Sequence, residues 1–431
     1  MTTVDPTSRN PANPANSGLL AGVRILDCSI LGPGALAGFL ADLGADVIKV
    51  EPPGGDYVRA MTWPIVHDTD DSGAARSNSL MHLHLNRGKR SVVLDLKTDE
   101  GTALFADLVA ASDVVVEGMR PGFLDKRGFT FDRLCELNPS VVVCSLSGFG
   151  ATGPYRDLPS HGVAYDAWCG AVGPVTDDEG FTHIPDQVNV GITAGPAFAA
   201  LGILAALVRA RTTGQPARME LAQSDAAAYF DWYRIETERA YERPESEVSG
   251  NASDGGVRRA AGLGGMREGV RYQFYATSDG HVLFMASEQV FWKRFCEGVD
   301  RMDLFEKWPG AKVADHARGN RELQAELRTI FGSRTSAEWI AFAGEHDTTI
   351  APVNTPRTLI DDPQFQHRFN WVGADHLGAD QLLIPLFTGD EQPPVPDRAP
   401  DPGQHTDEVL REVLGLDDER IAELRSNGAV G

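Results

Sequence analysis

Basic residues are scarce in this chain. Lys and Arg number 39 against 61 Asp and Glu, for a formal net charge of −22. A surface of that sign repels polyanions, which excludes bulk nucleic-acid binding and adhesion to anionic membranes. A phosphate-bearing ligand would need a locally basic pocket. Cysteine is sparse too: Cys28, Cys135, Cys144, Cys169 and Cys296 show no C-x-x-C and no metal-ligand spacing. Cys28 and Cys144 lie in strand-like apolar runs and read as buried thiols rather than halves of a disulfide. No apolar run approaches the length of a membrane helix, and residues 2–17, rich in Pro, Asn and Thr, lack an apolar signal region. Residues 1–20 therefore read as a disordered tail, and the expected location is cytoplasmic. No internal repeat and no metal site is evident.

What is present is a patterned α/β chain. At 431 residues and 42% hydrophobic content it holds core enough for two or three domains. Its organising stretch is residues 22–51. Residues 23–26 are a short apolar run, broken by Gly32, Pro33 and Gly34; Leu36, Phe39, Leu40 and Leu43 then recur at helical spacing. Gly44 ends that period and residues 47–50 restart as a buried strand. Such a strand–turn–helix–strand unit builds parallel sheets. Glycines in the turn let backbone N–H groups converge at the helix N-terminus, where the dipole favours an anion. Gly32-x-Gly34 with Gly38 and Glu51 also imitates a dinucleotide fingerprint, which keeps a dinucleotide-dependent oxidoreductase as a remote alternative. The same glycines serve a tight turn equally well.

The alternation continues downstream. Residues 58–80 read as a polar surface loop. Strands are expected at 91–96, 113–117, 141–146 and 219–221, with helices at 99–111 and 197–211, the rhythm of a doubly wound α/β domain. Residues 243–268 shift to Gly, Ser, Arg and Glu, a linker signal. Residues 271–276 and 281–285 alternate around Ser278-Asp279-Gly280, a hairpin. A proline-rich stretch at 393–402 leads to a helix at 406–414. The expected domains are a large α/β domain at 21–224, a smaller α+β domain at 225–345, and a segment at 346–431 returning to the first.

Several separated motifs share one likeness. Gly32-Pro-Gly-Ala35, Leu40-Ala-Asp-Leu-Gly-Ala-Asp-Val-Ile-Lys-Val-Glu51 and Pro53-Gly-Gly-Asp56 resemble the opening of the family III CoA-transferases. That family also holds carnitine and formyl-CoA transferases and α-methylacyl-CoA racemase. The resemblance runs on through residues 86–97, Val116-Glu-Gly-Met-Arg-Pro-Gly122, Ser147-Gly-Phe-Gly-Ala-Thr-Gly-Pro154, residues 201–207 and Pro352-Val-Asn-Thr355. It implies a Rossmann-like large domain, and an interlocked dimer that is a homodimer or a heterodimer with an Asp-bearing paralogue. It implies no separate cofactor: the substrates would be an acyl-CoA thioester and a carboxylic acid.

The resemblance also distributes roles. Leu94, Asp95, Leu96, Lys97, Gly118, Met119, Arg120 and Lys126 would line the CoA site, with Gly32, Gly34 and Tyr165. Arg120 and Lys126 follow a strand end, where open α/β sheets bind ligands, and cations there suit phosphates. Lys89, Arg90 and Lys97 flank another strand. The Arg usual after the acidic residue of the second strand is Pro52 here. His161 falls on the racemase's catalytic His and Glu288 on the carboxylate that orients it, a pair suited to moving an α-proton. The transferase nucleophile, an Asp, counts back from Gly202 to Gly191, which has no side chain; Asp186 is the nearest carboxylate. Two readings follow. In one, the chain works with an Asp-bearing partner subunit. In the other, it is a self-sufficient racemase, epimerase or isomerase using His161 and Glu288.

Overall fold

Six strands pair side by side, in the computed structural model, as one all-parallel sheet. The described residues are 18–69, 73–186, 188–252, 255–312, 315–386 and 394–431. The strands are β1 (Arg24–Ser29), β2 (Asp46–Glu51), β3 (Lys89–Val93), β4 (Val114–Gly118), β5 (Val142–Ser147) and β6 (Ala217–Ala222). Their spatial order is β6-β5-β4-β1-β2-β3. Neighbouring residues along each strand face opposite sides, so a sheet buried on both faces needs continuous apolar runs. Ile25, Val47, Val114 and Val142 face one core, with Leu36 and Leu40 from helix α1 (Gly34–Asp42). Leu26, Ile48, Val115 and Val143 face the other, with Phe105 and Leu108 from the helix Asp99–Ala110. Cys28 and Cys144 are buried free thiols, as their setting predicts.

Strand order reverses between β1 and β4. Chain neighbours run outward in both directions from that pair, which leaves a crevice outside their carboxyl ends. Gly118 closes β4 there, and a Cβ on it would lie 2.3 Å from Ser29 Cβ and 2.6 Å from Pro33 Cβ. Only glycine allows the two strand ends to approach so closely.

The chain divides into two units: the described residues up to Phe230 with Arg368–Gly431, and Asp231–His367. The boundaries expected at 225 and 345 fall inside helices, Gln223–Phe230 and Ser336–His346. The second unit carries the expected antiparallel hairpin, Gln273–Ala276 with His281–Phe284, extended by Ile350–Pro352. Its core is aromatic: Trp292, Phe295, Phe331 and Trp339 are fully buried.

Two expectations need correcting. Residues 58–80 are not a loop; they hold a short helix, Val58–Met61, and the hairpin Ile65–Thr69 with Ala75–Ser79. Ladder hydrogen bonds stabilise that hairpin although its side chains are polar. The helix expected at 197–211 runs from Val190 to Thr213, straight through Pro196. At 24 residues it is long and apolar enough to cross a membrane, contrary to the sequence reading. Its Ala199, Ile203 and Leu207 pack into the core of the first unit. Most of the N-terminal segment and Pro393 lie outside the described residues.

Candidate active site

The crevice at the strand reversal opens as a cavity of about 390 Å³ in the first unit. Each wall follows from a strand end. Ile30–Pro33 continue β1, Gly118–Pro121 continue β4, and Gly148 and Phe149 continue β5. Buried Glu117 shapes the β4 loop: its carboxylate accepts the Leu124 N–H (2.9 Å) and the Ser145 hydroxyl (3.0 Å). That loop presents Arg120 and Lys126 to the cavity, and Arg156 joins them. Among the described residues none of these three cationic side chains makes an ion pair or hydrogen bond. Uncommitted cations are unexpected on a chain this acidic, and together they form the locally basic pocket a phosphate ester requires.

Two buried polar atoms point the same way. The Ser147 hydroxyl and Gln223 Oε1 have no hydrogen-bond partner among the described residues, and both side chains line the cavity. Leaving such groups unpaired costs about 1–3 kcal/mol each, so they fit a ligand with polar atoms. The sequence reading gave neither a role: Ser147 opens the motif at 147–154 but is uncharged, and Gln223 lies outside every quoted motif.

Of the residues named from sequence, Gly32, Gly118, Met119, Arg120, Lys126, His161 and Tyr165 share this cavity. Gly34 sits behind it, where its carbonyl accepts a hydrogen bond from Lys89 Nζ (2.8 Å). Leu94, Asp95, Leu96 and Lys97 follow edge strand β3 and line none of it; Leu94 is core. The glycine turn differs from expectation. Gly34, Ala35 and Leu36 donate their N–H groups to the carbonyls of Leu31, Gly32 and Pro33, so these donors are spent within the turn. The positive φ falls on Leu31, at 54°, not on Gly32 or Gly34. Recognition of an anion here falls to side chains.

A buried ionic floor lies beneath the turn. Lys89 bonds Asp27 at 2.9 Å, and Lys49 bonds the Ser29 carbonyl at 2.8 Å and Asp56 at 2.9 Å. Glu51 pairs with Arg59 and accepts the Ser91 hydroxyl. Three acids thus balance three bases. Burial alone would raise the Glu51 pKa, but Arg59, Lys49 and Ser91 lower it to about 2. Lys89 and Arg90, counted from sequence as flanking cations, are therefore committed elsewhere: Arg90 pairs with Asp46, Glu408 and Glu412.

The long helix α2 (Val190–Thr213) begins at the cavity. Its N-terminus is held by Asp166, fully buried, whose carboxylate accepts the N–H groups of Val190 (2.8 Å) and Gly191 (3.2 Å). An anion at a helix N-terminus also suits the dipole. Gly191 is not a cavity residue. A Cβ there would meet Tyr165 Cβ at 2.8 Å and the Gln223 carbonyl oxygen at 3.2 Å. The side chain this turn presents to the cavity is the next one, Ile192. Asp186 is exposed and lines neither this cavity nor its neighbour. Asp157, exposed, is the carboxylate that does line it.

His161 lies where this cavity meets a second of about 820 Å³, and lines both. Glu288 belongs to the other unit, at the start of the helix Gln289–Gly298. The imidazole whose titration feels its charge is His316, which also bonds the Ser287 hydroxyl at 2.9 Å.

Comparison with known proteins accords with this geometry. The family model described as CoA-transferase family III matches residues 20–406. The formyl-CoA:oxalate CoA-transferase of Rhodopseudomonas palustris (strain BisA53) is 29% identical, with 95% of this chain and 97% of that protein covered. The succinyl-CoA–L-malate CoA-transferase beta subunit of Chloroflexus aurantiacus is 31% identical, covering 95% and 98%. Among solved structures, a CAIB/BAIF family protein from Brucella suis shares the fold at a TM-score of 0.74 and 24% identity, covering 92% and 99%.

Proposed function

Because this chain belongs to CoA-transferase family III, we propose that it binds an acyl-CoA in the strand-reversal cavity and completes transfer with a partner subunit that carries the attacking carboxylate. The observation that carries this reading is a pairing in one cavity. Three uncommitted cations await phosphate groups, while the first turn of α2 offers the side chain of Ile192 and no acid.

The missing acid matters because of the bonds involved. In the family's transfer reaction an Asp carboxylate attacks the thioester carbonyl. The C–S bond breaks, CoA leaves as thiolate, and a mixed anhydride remains. The thiolate then attacks the aspartyl carbonyl, which frees the acyl acid and leaves CoA on the enzyme. An isoleucine or a glycine can do none of this. In this chain Arg120, Lys126 and Arg156 would anchor the CoA phosphates. Ser147 and Gln223 would hydrogen-bond polar atoms nearer the thioester. Supplied with an acyl-CoA and a free carboxylic acid, the chain alone should exchange no CoA; mixed with an Asp-bearing paralogue it should. Turnover by the chain alone, with an adduct on Asp157 or Asp186, would overturn the proposal.

A second reading rests on His161, which is exposed at the meeting of the two cavities and makes no side-chain hydrogen bond among the described residues. A neutral imidazole there is free to take an α-proton from a bound thioester. Incubation of an acyl-CoA in deuterated water separates the readings. Exchange lost in His161→Ala favours α-proton chemistry, and equal exchange with and without that imidazole dismisses it.

A further inference from the structure

We infer that the second cavity receives the acyl group, and that this group is bulky and apolar, an aromatic or branched chain rather than a short or doubly acidic one. The inference rests on the acyl-CoA reading above. The cavity measures about 820 Å³, whereas a hole of about 150 Å³ suffices for a benzene ring. It adjoins the cation-lined cavity: Leu31, Gly32, His161 and Ile192 line both. A thioester held at that meeting point would have its CoA on one side and its acyl chain on the other. Phe39, Met61, Trp63, Leu85 and Trp371 supply large apolar walls.

The charges in this second cavity are already taken. Arg87 donates to both oxygens of Asp42, at 2.9 and 2.6 Å, to Gln381 Oε1 at 3.0 Å, and stands 2.8 Å from His84 Nδ1. Burial, with Arg87 beside it, lowers the His84 pKa to about 4, so that imidazole is neutral at physiological pH. The remaining ionisable groups are His161, where the two cavities meet, and Asp380, exposed and accepting the Ala374 N–H at 2.9 Å. An acyl carboxylate entering here would leave water for an apolar wall with no free Lys or Arg and would meet the Asp380 carboxylate instead. Burying an unpaired charge is strongly unfavourable. An apolar group gains about 25 cal/mol for each Å² it buries.

Calorimetric titration of the full chain with CoA, succinyl-CoA and phenylacetyl-CoA tests this. Phenylacetyl-CoA should bind at least tenfold more tightly than CoA, and succinyl-CoA no more tightly than CoA. Ala35→Phe, which fills the cavity from helix α1, should bring the ratio of phenylacetyl-CoA to CoA affinity close to one. Met81→Lys, on an exposed wall residue that tolerates a charge, should raise the affinity for succinyl-CoA several-fold relative to phenylacetyl-CoA. Equal affinity of the wild type for all three ligands, or a preference for succinyl-CoA, would overturn the acyl-pocket assignment while leaving the CoA reading intact. Failure to bind any of the three would overturn the CoA reading and this inference with it.

Discussion

Restoring an acid to the first turn of α2 should succeed at one residue and fail at its neighbour. At Gly191 a new Cβ would stand 2.8 Å from Tyr165 Cβ and 3.2 Å from a backbone oxygen of Gln223, inside the 3.5–4.0 Å of ordinary carbon contact. The backbone has no room to retreat, because the Gly191 N–H is bound to buried Asp166. Overpacking of this kind costs about 1–3 kcal/mol, and a second carboxylate beside Asp166 adds repulsion. Gly191→Asp should therefore lower Tm by on the order of 5 °C and give no covalent adduct. Ile192 is only half-buried and faces both cavities. Ile192→Asp should fold with a smaller loss, about 1 kcal/mol of apolar burial, and place its carboxylate beside the bound thioester. Incubation with an acyl-CoA, trapping with hydroxylamine and peptide mass spectrometry should reveal a hydroxamate at position 192. An adduct in Gly191→Asp at wild-type Tm, with none in Ile192→Asp, would refute the steric argument.

Two further outcomes probe the floor of the site. Lys89→Met strips Asp27 of its fully buried partner, which should cost about 3–5 kcal/mol; Asp27→Asn in the same chain should recover most of it, and a single variant as stable as wild type would contradict the ionic floor. Acid should destabilise the first unit in two stages. Burial, then the charges of Arg59 and Lys49, depress the His82 pKa from 6.5 to about 3, and the Glu51 pKa falls from 4.5 to about 2. Both folded values lie below the unfolded ones, so each group contributes stability above its unfolded pKa and loses it as pH falls. Glu51 alone accounts for about 3 kcal/mol. Urea midpoints should decline from pH 6.5 downward and more steeply below pH 4.5; a flat profile between pH 7 and pH 4 would refute the assignment.

Much of the sheet was legible because its strands are buried on both faces and read as unbroken apolar runs: residues 141–146 became β5 and 113–117 became β4, each within a residue or so. The hairpin at Ser278-Asp279-Gly280 was legible from its turn. The order of the strands was not, since nothing in a local run says which neighbour it will pair with. The reversal between β1 and β4, which creates the cavity, is therefore a property of the assembled sheet. The helix expected from residue 197 begins seven residues earlier, at Val190, with its first N–H groups bound by Asp166 from another element. Lys89 was legible only as a cation flanking a strand, because its burial with Asp27 depends on a contact 62 residues away. That Arg120 and Lys126 line the cavity was legible because a cation after a strand end lies at the ligand edge of such sheets. Ser147 and Gln223 carry no such mark, and their unpaired polar atoms show only in the folded chain.

The central claim is that the strand-reversal cavity binds CoA through side-chain cations rather than a dinucleotide through its glycine turn. Separate calorimetric titrations with CoA and NAD, on the wild type and on Arg120→Ala/Lys126→Ala, test it most directly. Charge-assisted contacts contribute about 1.5–3 kcal/mol each, so CoA should bind saturably to the wild type and at least tenfold more weakly to the double variant, with no response to NAD. Saturable NAD binding without CoA binding, or CoA affinity untouched by removal of both cations, would contradict the account.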